Sequence, residues 1–105
     1  MDPNFWTELK ISVTELCFKV SKKLIIAIYN HPILSKKLPI PLSPITDEMD
    51  LEFYWREYSL YLTIYSWGEI IITSFNNREK HNRCFPSTTN VSIIIEALEK
   101  CVDKE

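Results

Sequence analysis

Residues 58–75 read YSLYLTIYSWGEIIITSF, and the parity of this run decides the fold. Leu60, Leu62 and Ile64 occupy one side of the alternation, while Tyr61, Thr63 and Tyr65 occupy the other. A period of two sends these sets to opposite faces of a strand. Just upstream, Leu51, Phe53 and Trp55 alternate with Glu52, Tyr54 and Arg56. Just downstream, Ile70, Ile71, Ile72 and Thr73 form a third β-rich run that ends near Phe75. The connections at Glu57-Tyr58 and Ser66-Trp67-Gly68 are short, so the three runs predict an antiparallel meander. Gly68 is the chain's single glycine and sits where a hairpin turn calls for a positive φ.

The flanks carry a different period. Asp2 and Pro3 predict a helix start. Trp6, Leu9, Val13, Leu16, Cys17, Val20, Leu24 and Ile28 then recur at spacings of three and four, which predicts one long amphipathic helix. Asn30-His31-Pro32 ends it, because the residue before proline avoids the helical region. Ile25, Ile26 and Tyr29 widen the apolar stripe near that end, so something must cover a second side. Residues 32–46, PILSKKLPIPLSPIT, contain four prolines and predict an extended arm over the core, with Ile33, Leu34, Leu38, Ile40 and Leu42 in need of burial. Residues 76–90 read as a polar loop. Val91, Ile94, Ile95, Leu98, Cys101 and Val102 predict a closing helix, capped by Thr89 or Asn90 and carrying a Glu96–Lys100 pair. The expected architecture is α+β: a long N-terminal helix, a proline-rich extended arm, a three-stranded antiparallel meander and a C-terminal helix, with both helices on one face of the sheet.

A chain of 105 residues predicts one domain, 1–105, whose core needs no staples. With 46% hydrophobic and 25% charged residues it has the composition of a globular protein. A net charge of -2 argues against a general nucleic-acid binder. The charge is uneven: lysines gather in the first part, and Asp47, Glu48, Asp50, Glu52, Glu57 and Glu69 crowd the middle. Three widely spaced cysteines predict the reducing cytoplasm rather than a disulfide framework. The apolar run from Leu24 is too short to cross a bilayer, and no signal peptide is visible at the acidic N-terminus.

One glycine leaves no phosphate-cradling loop or dinucleotide fingerprint. His81 and Cys84 are three apart without a second chelating pair, so neither a metal nor a cofactor is expected, and no catalytic residue is assigned. The basic run Arg78, Lys80, His81 and Arg83 is the candidate for an alternative reading, a small RNA-binding or ribonuclease-type toxin. The outer face of the sheet gives the leading candidate. Tyr54, Tyr61 and Tyr65 with Arg56 and the turn residue Trp67 have the composition of a binding hot spot. Glu52 and Glu57 beside them would add association rate and orientation toward a basic partner.

The block LPIPLSPITDEMDLEFYWREYSLYLTIYSWGEIIITSF resembles a pattern seen in small bacterial proteins: a proline-marked arm, an acidic–aromatic strand ending in Trp, an alternating strand and a turn with glycine. The matching residues are Pro39, Pro41, Leu51, Glu52, Trp55, Leu60, Leu62, Ile64, Gly68 and Glu69; Asp50 and Trp67 depart from the pattern. Such proteins look like the antitoxins, immunity proteins and phage-encoded inhibitors, anti-CRISPR proteins among them, of bacterial conflict systems. The resemblance implies a stoichiometric binder. The residues and the resemblance together lead to the expectation of a non-catalytic intracellular protein that neutralises a protein partner, such as a nucleic-acid-binding effector or a toxin, or that pairs with a second copy. A third expectation is a subunit of a larger complex that docks through the apolar stretch KLIIAIYNHPIL.

Overall fold

The computed structural model describes residues 3–41 and 44–102. Among them are four helices and a five-stranded antiparallel sheet. The helices are α1 (Pro3–Ser12), α2 (Glu15–Asn30), the single turn α3 (Leu34–Lys37) and α4 (Val91–Val102). The strands are β1 (Ile45–Asp47), β2 (Asp50–Trp55), β3 (Leu60–Ile64), β4 (Ile70–Asn76) and β5 (Glu79–Phe85). They lie side by side in chain order. No helix among the described residues is long and apolar enough to cross a membrane.

The expected three-stranded meander is therefore too small by one strand at each edge. Both additions are hairpins closed by two-residue turns that have no glycine. Glu48-Met49 joins β1 to β2 with φ of 50° and 70°, and Asn77-Arg78 joins β4 to β5 with φ of 52° and 68°. Positive φ at both central residues marks the type I′ turn, whose twist suits a tight hairpin. In the sequence only Asn77 hints at such a turn. β5 reads Glu-Lys-His-Asn-Arg-Cys-Phe, with no apolar alternation, because most of it lies at an exposed edge. The pattern rule sees only half-buried strands, so residues 76–90 read as loop.

The single long N-terminal helix is also corrected. It is two helices, broken at Val13-Thr14. Thr14 is extended, with φ of -66° and ψ of 160°, and its hydroxyl accepts from the Cys17 amide at 3.2 Å, which makes it the N-cap of α2. Leu9, Val13 and Cys17 remain buried on both sides of the break. The spacing of four therefore runs unbroken through a real boundary. The expected capping role of Asp2 lies outside the described residues.

The proline-rich arm is not extended throughout. Between Pro32 and Pro39 it winds one turn, α3, started by His31. The His31 Nδ1 accepts from the amides of Ile33 and Leu34 at 3.1 and 3.0 Å, and its Nε2 lies 2.7 Å from Glu99 Oε1 on α4. With Nδ1 accepting, the ring proton sits on Nε2 and is donated to that carboxylate. Leu34 and Leu38 are fully buried and Ile40 packs against the core, while Ile33 stays exposed. Leu42 lies outside the described residues. The Trp55 indole donates to the Pro39 carbonyl at 2.8 Å and ties the arm to the sheet.

Burial alternates on every inner strand. Leu51, Phe53, Trp55, Leu60, Leu62, Ile64, Ile70 and Ile72 join Leu24, Ile28, Ile94 and Leu98 of the helices in one core. Removal of each such side chain from water contributes about 1.5–3 kcal/mol. The β3–β4 turn is fixed by two bonds, Gly68 N to Tyr65 O at 2.8 Å and Tyr65 N to Glu69 O at 2.9 Å. Gly68 itself has φ of 87°, and a Cβ there would meet Ser87 Cβ at 2.8 Å and Leu16 Cγ at 2.9 Å.

Two turn substitutions should therefore have opposite signs in urea unfolding. Gly68→Ala should lose about 1–2 kcal/mol from the left-handed backbone alone, and more because Leu16 and Ser87 must shift. Arg78→Gly, at φ of 68° in an exposed turn, should gain about 0.5–1 kcal/mol, because glycine adopts this conformation without strain. Equal effects of the two would contradict this account of the turns.

Candidate functional site

The register divides the sheet into a helix-covered face and an open one. On the open face one row runs Ile45, Glu52, Thr63, Ile71 and Cys84, and the next runs Tyr54, Tyr61, Thr73 and Asn82. The helices account for the first parity, so the second is left without a covering layer among the described residues.

Its centre is aromatic. Tyr54 and Tyr61, directly opposite on β2 and β3, stack at 4.4 Å between ring centroids with planes 21° apart. Phe75 of β4 meets Tyr61 edge-on at 6.3 Å. Ring pairs at this spacing stabilise one another by about 0.5–1.5 kcal/mol and hold each ring in place. Tyr61 is half-buried by its neighbours, whereas Tyr54 keeps 39% and Phe75 43% of its surface exposed. Partial desolvation, the adjacent Tyr54 and the Glu52 charge all raise the Tyr61 phenol above its ordinary pKa. A second stack, Tyr65 on Trp67 at 4.6 Å with planes 5° apart, extends the aromatic surface toward the β3–β4 turn.

Beside the aromatics lies a shallow hollow of about 320 Å³, walled by Ile45, Asp47, Asp50, Glu52, Thr63 and Tyr65. Three carboxylates converge there because the tight β1–β2 hairpin sets Asp47 directly across from Asp50. Asp50 is held by the Ser66 amide, which donates to its Oδ1 at 2.5 Å. The carboxylates of this face therefore gather at one end.

Of the residues singled out from the sequence, Tyr54, Tyr61, Tyr65, Trp67 and Glu52 come together on the open side. Arg56 and Glu57 do not share the strand: they belong to the 3-10 turn Arg56–Tyr58 that ends β2, and both are exposed there. Ile45, Phe75, Asp47 and Asp50 complete the surface. Ile45 had no readable signal, because its strand is three residues long and follows a proline.

The basic run is a strand rather than a loop, and alternation pulls it apart. His81 and Arg83 share parity with Phe85, on the helix side; Lys80 and Cys84 point to the open side; Arg78 stands in the turn. His81 faces Glu79 at 3.8 Å, and Arg83 lies over the Phe85 ring at 5.3 Å. His81 and Cys84, considered above as a chelating pair, face opposite sides of the sheet.

The chain matches no protein-family model, no curated protein and no solved structure. The class that its fold and surface define is an α+β protein with a helix-backed antiparallel sheet whose second face is aromatic and open.

The cysteines test this assignment of faces. Cys84 is exposed on the open side, whereas Cys17 is buried under α2, where its thiol donates to the Ile64 carbonyl at 3.4 Å. Desolvation raises the Cys17 pKa, and the Asp50 charge adds to it against the opposing Ser21 bond. Since the thiolate is the reactive form, a maleimide should modify Cys84 in the native protein at close to the rate of a free thiol. Cys17 should react on the order of 100-fold more slowly, through opening of the structure. Peptide mass spectrometry reads both; comparable rates would refute the placement.

Proposed function

We propose that this protein is a non-catalytic binding protein that neutralises or inhibits a protein partner by docking the open face of its sheet onto a basic surface. The observation that supports this most is the ring ladder Tyr54–Tyr61–Phe75, which spans three strands and remains partly exposed beside a hollow with three carboxylates. Rings pre-ordered by their own stacking lose little entropy on binding, and aromatic anchors of this kind carry most of an interface's energy. The hollow suits the head of an arginine or lysine of the partner, placed within reach of Asp47, Asp50 and Glu52. A nucleic-acid-binding effector or a toxin offers a surface of that sign. The carboxylates then act chiefly on encounter and orientation, and the rings on lifetime.

The two roles separate in kinetics. With the partner recovered from the native cell, Tyr61→Ala should weaken binding by about 2 kcal/mol or more, mostly through faster dissociation. Its unfolding midpoint should fall only modestly. Glu52→Lys should slow association several-fold at low salt, with the difference shrinking as salt rises. A Tyr61→Ala variant that binds like the parent would remove this reading.

A further inference from the structure

The two edges of the sheet are built differently. β1 is three residues long and follows Pro44, so it offers little to a further strand. β5 runs over seven residues, Glu79–Phe85, in unbroken register with β4 and without a proline. All of it is exposed except Phe85. The two-residue turn before it fixes which backbone groups point outward. Asn76 and Glu79 flank that turn as a hydrogen-bonded pair, so Glu79, His81, Arg83 and Phe85 direct their N–H and C=O groups toward β4. Lys80, Asn82 and Cys84 direct theirs away from the sheet. Among the described residues no loop or turn bonds to the main chain of these three, and no strand lies beyond β5. An edge of this length is a template for one more strand.

The side chains select which strand that is. A charged edge rejects strands of arbitrary sequence, but β5 complements itself in one register. Antiparallel pairing about a twofold axis perpendicular to the sheet sets residues of equal parity opposite one another. An axis at Lys80 or at Arg83 would oppose two like charges, and an axis at Asn82 would set His81 against Arg83. An axis at His81 sets Glu79 of each copy against Arg83 of the other, and Lys80 against Asn82. Glu79 can serve there, because its contact with His81 at 3.8 Å joins two largely exposed side chains and is weak. Arg83 lies over the Phe85 ring at 5.3 Å, which steadies the guanidinium and leaves its N–H edge to donate. We propose that β5 pairs antiparallel with β5 of a second copy of this chain about a twofold axis at His81, joining the two sheets into one of ten strands. Lys80 and Asn82 of each copy exchange backbone bonds with Asn82 and Lys80 of the other, and the two open faces lie on the same side. This pairing does not rest on the binding role assigned to the open face. One strand from each copy buries a small interface, so the dimer is weak and reversible.

Sedimentation equilibrium of the full chain, run above the pH range where imidazole is charged, reads the mass. The parent should be more than half dimeric at about 200 µM. Glu79→Arg and Arg83→Glu each oppose like charges across the axis, so each should dimerise about tenfold more weakly or worse. Both change exposed residues and should keep the parent's circular dichroism spectrum. An equimolar mixture of the two restores opposite charges at both contacts and should form a heterodimer as tight as the parent. His81→Cys in a Cys84→Ser background sets two thiols directly across the axis, within disulfide reach, and mild oxidation should give a covalent dimer. Cys84 of the parent lies about 20 Å from its counterpart in this register and should not cross-link. The proposal is overturned if the parent stays monomeric up to about 1 mM, or if the single reversals associate like the parent. It is equally overturned if their mixture stays monomeric, or if Cys84 cross-links as readily as His81→Cys. A dimer lost in Tyr61→Ala but kept in both reversals would place the contact on the open face and overturn it too.

Discussion

Two side chains and the backbone of one turn hold the helical layer to the sheet. Asp50, at the start of β2, accepts from the Ser66 amide in the β3–β4 turn, and the carbonyl of the same Ser66 accepts from the Thr14 hydroxyl at 2.5 Å. Thr14 in turn caps α2. Each bond taken singly stabilises by about 1 kcal/mol, and by more where a carboxylate is involved. Their effect lies in forming one chain, linked at Ser66 and at Thr14. They fix where α2 begins, against which turn, and at what height over β2 and β3. Leu16 is thereby pressed onto Gly68, and no side chain other than hydrogen fits at that contact. One and two turns further along α2, Val20 and Leu24 enter the core.

Once α2 is seated, the two faces of the sheet have different fates. The leucines and isoleucines of one parity disappear under the helices. The other parity must meet either water or a partner. Charges would have met water at the least cost, but here the middle of the sheet carries rings that cover one another. Stacking lets Tyr54, Tyr61 and Phe75 lower their own exposure without a second layer, and it leaves them rigid. The carboxylates of the open face gather at the β1 end, and the basic residues of the β4–β5 hairpin stand at the opposite edge. The tyrosines facing away from the leucines thus form an ordered surface, and the binding role proposed for this protein rests on that order. A smaller apolar patch, Ile26 and Tyr29 of α2 with Ile33, also remains exposed, while Ile25 beside it is fully covered. The widened helix stripe is therefore only half used by the fold.

The readable part of this fold is the part where burial writes a period into the chain. Residues 51–75 could be assigned strand by strand because each inner strand has one wet and one dry side. Gly68 and the Val91–Val102 helix were equally legible, one from backbone geometry and the other from its stripe. What escaped was whatever lacked that contrast. β5 is polar on both sides, β1 is three residues long, and α3 is one turn trapped between prolines. The break at Thr14 was hidden for the opposite reason, since the apolar spacing continues across it. For the candidate site, parity identified Tyr54, Tyr61, Tyr65 and Glu52. Arg56 and Glu57 were drawn away by a 3-10 turn, and the basic run 78–83 was divided between two faces by a strand that its composition concealed.

By itself, then, the sequence determined the class of layers, the inward and outward parity of the central strands, and the place of the one turn that requires glycine. These are local consequences of periodicity and φ preference, and they need no knowledge of neighbours. Tertiary structure decided the edges of the sheet, the split of the first helix, and the convergence of Asp47, Asp50 and Glu52 into a hollow. Each of these depends on which groups end up side by side after the chain has closed. A carboxylate finds a turn amide sixteen residues on, and a threonine finds a carbonyl fifty-two residues on. Bonds of that reach leave no periodic mark along the chain.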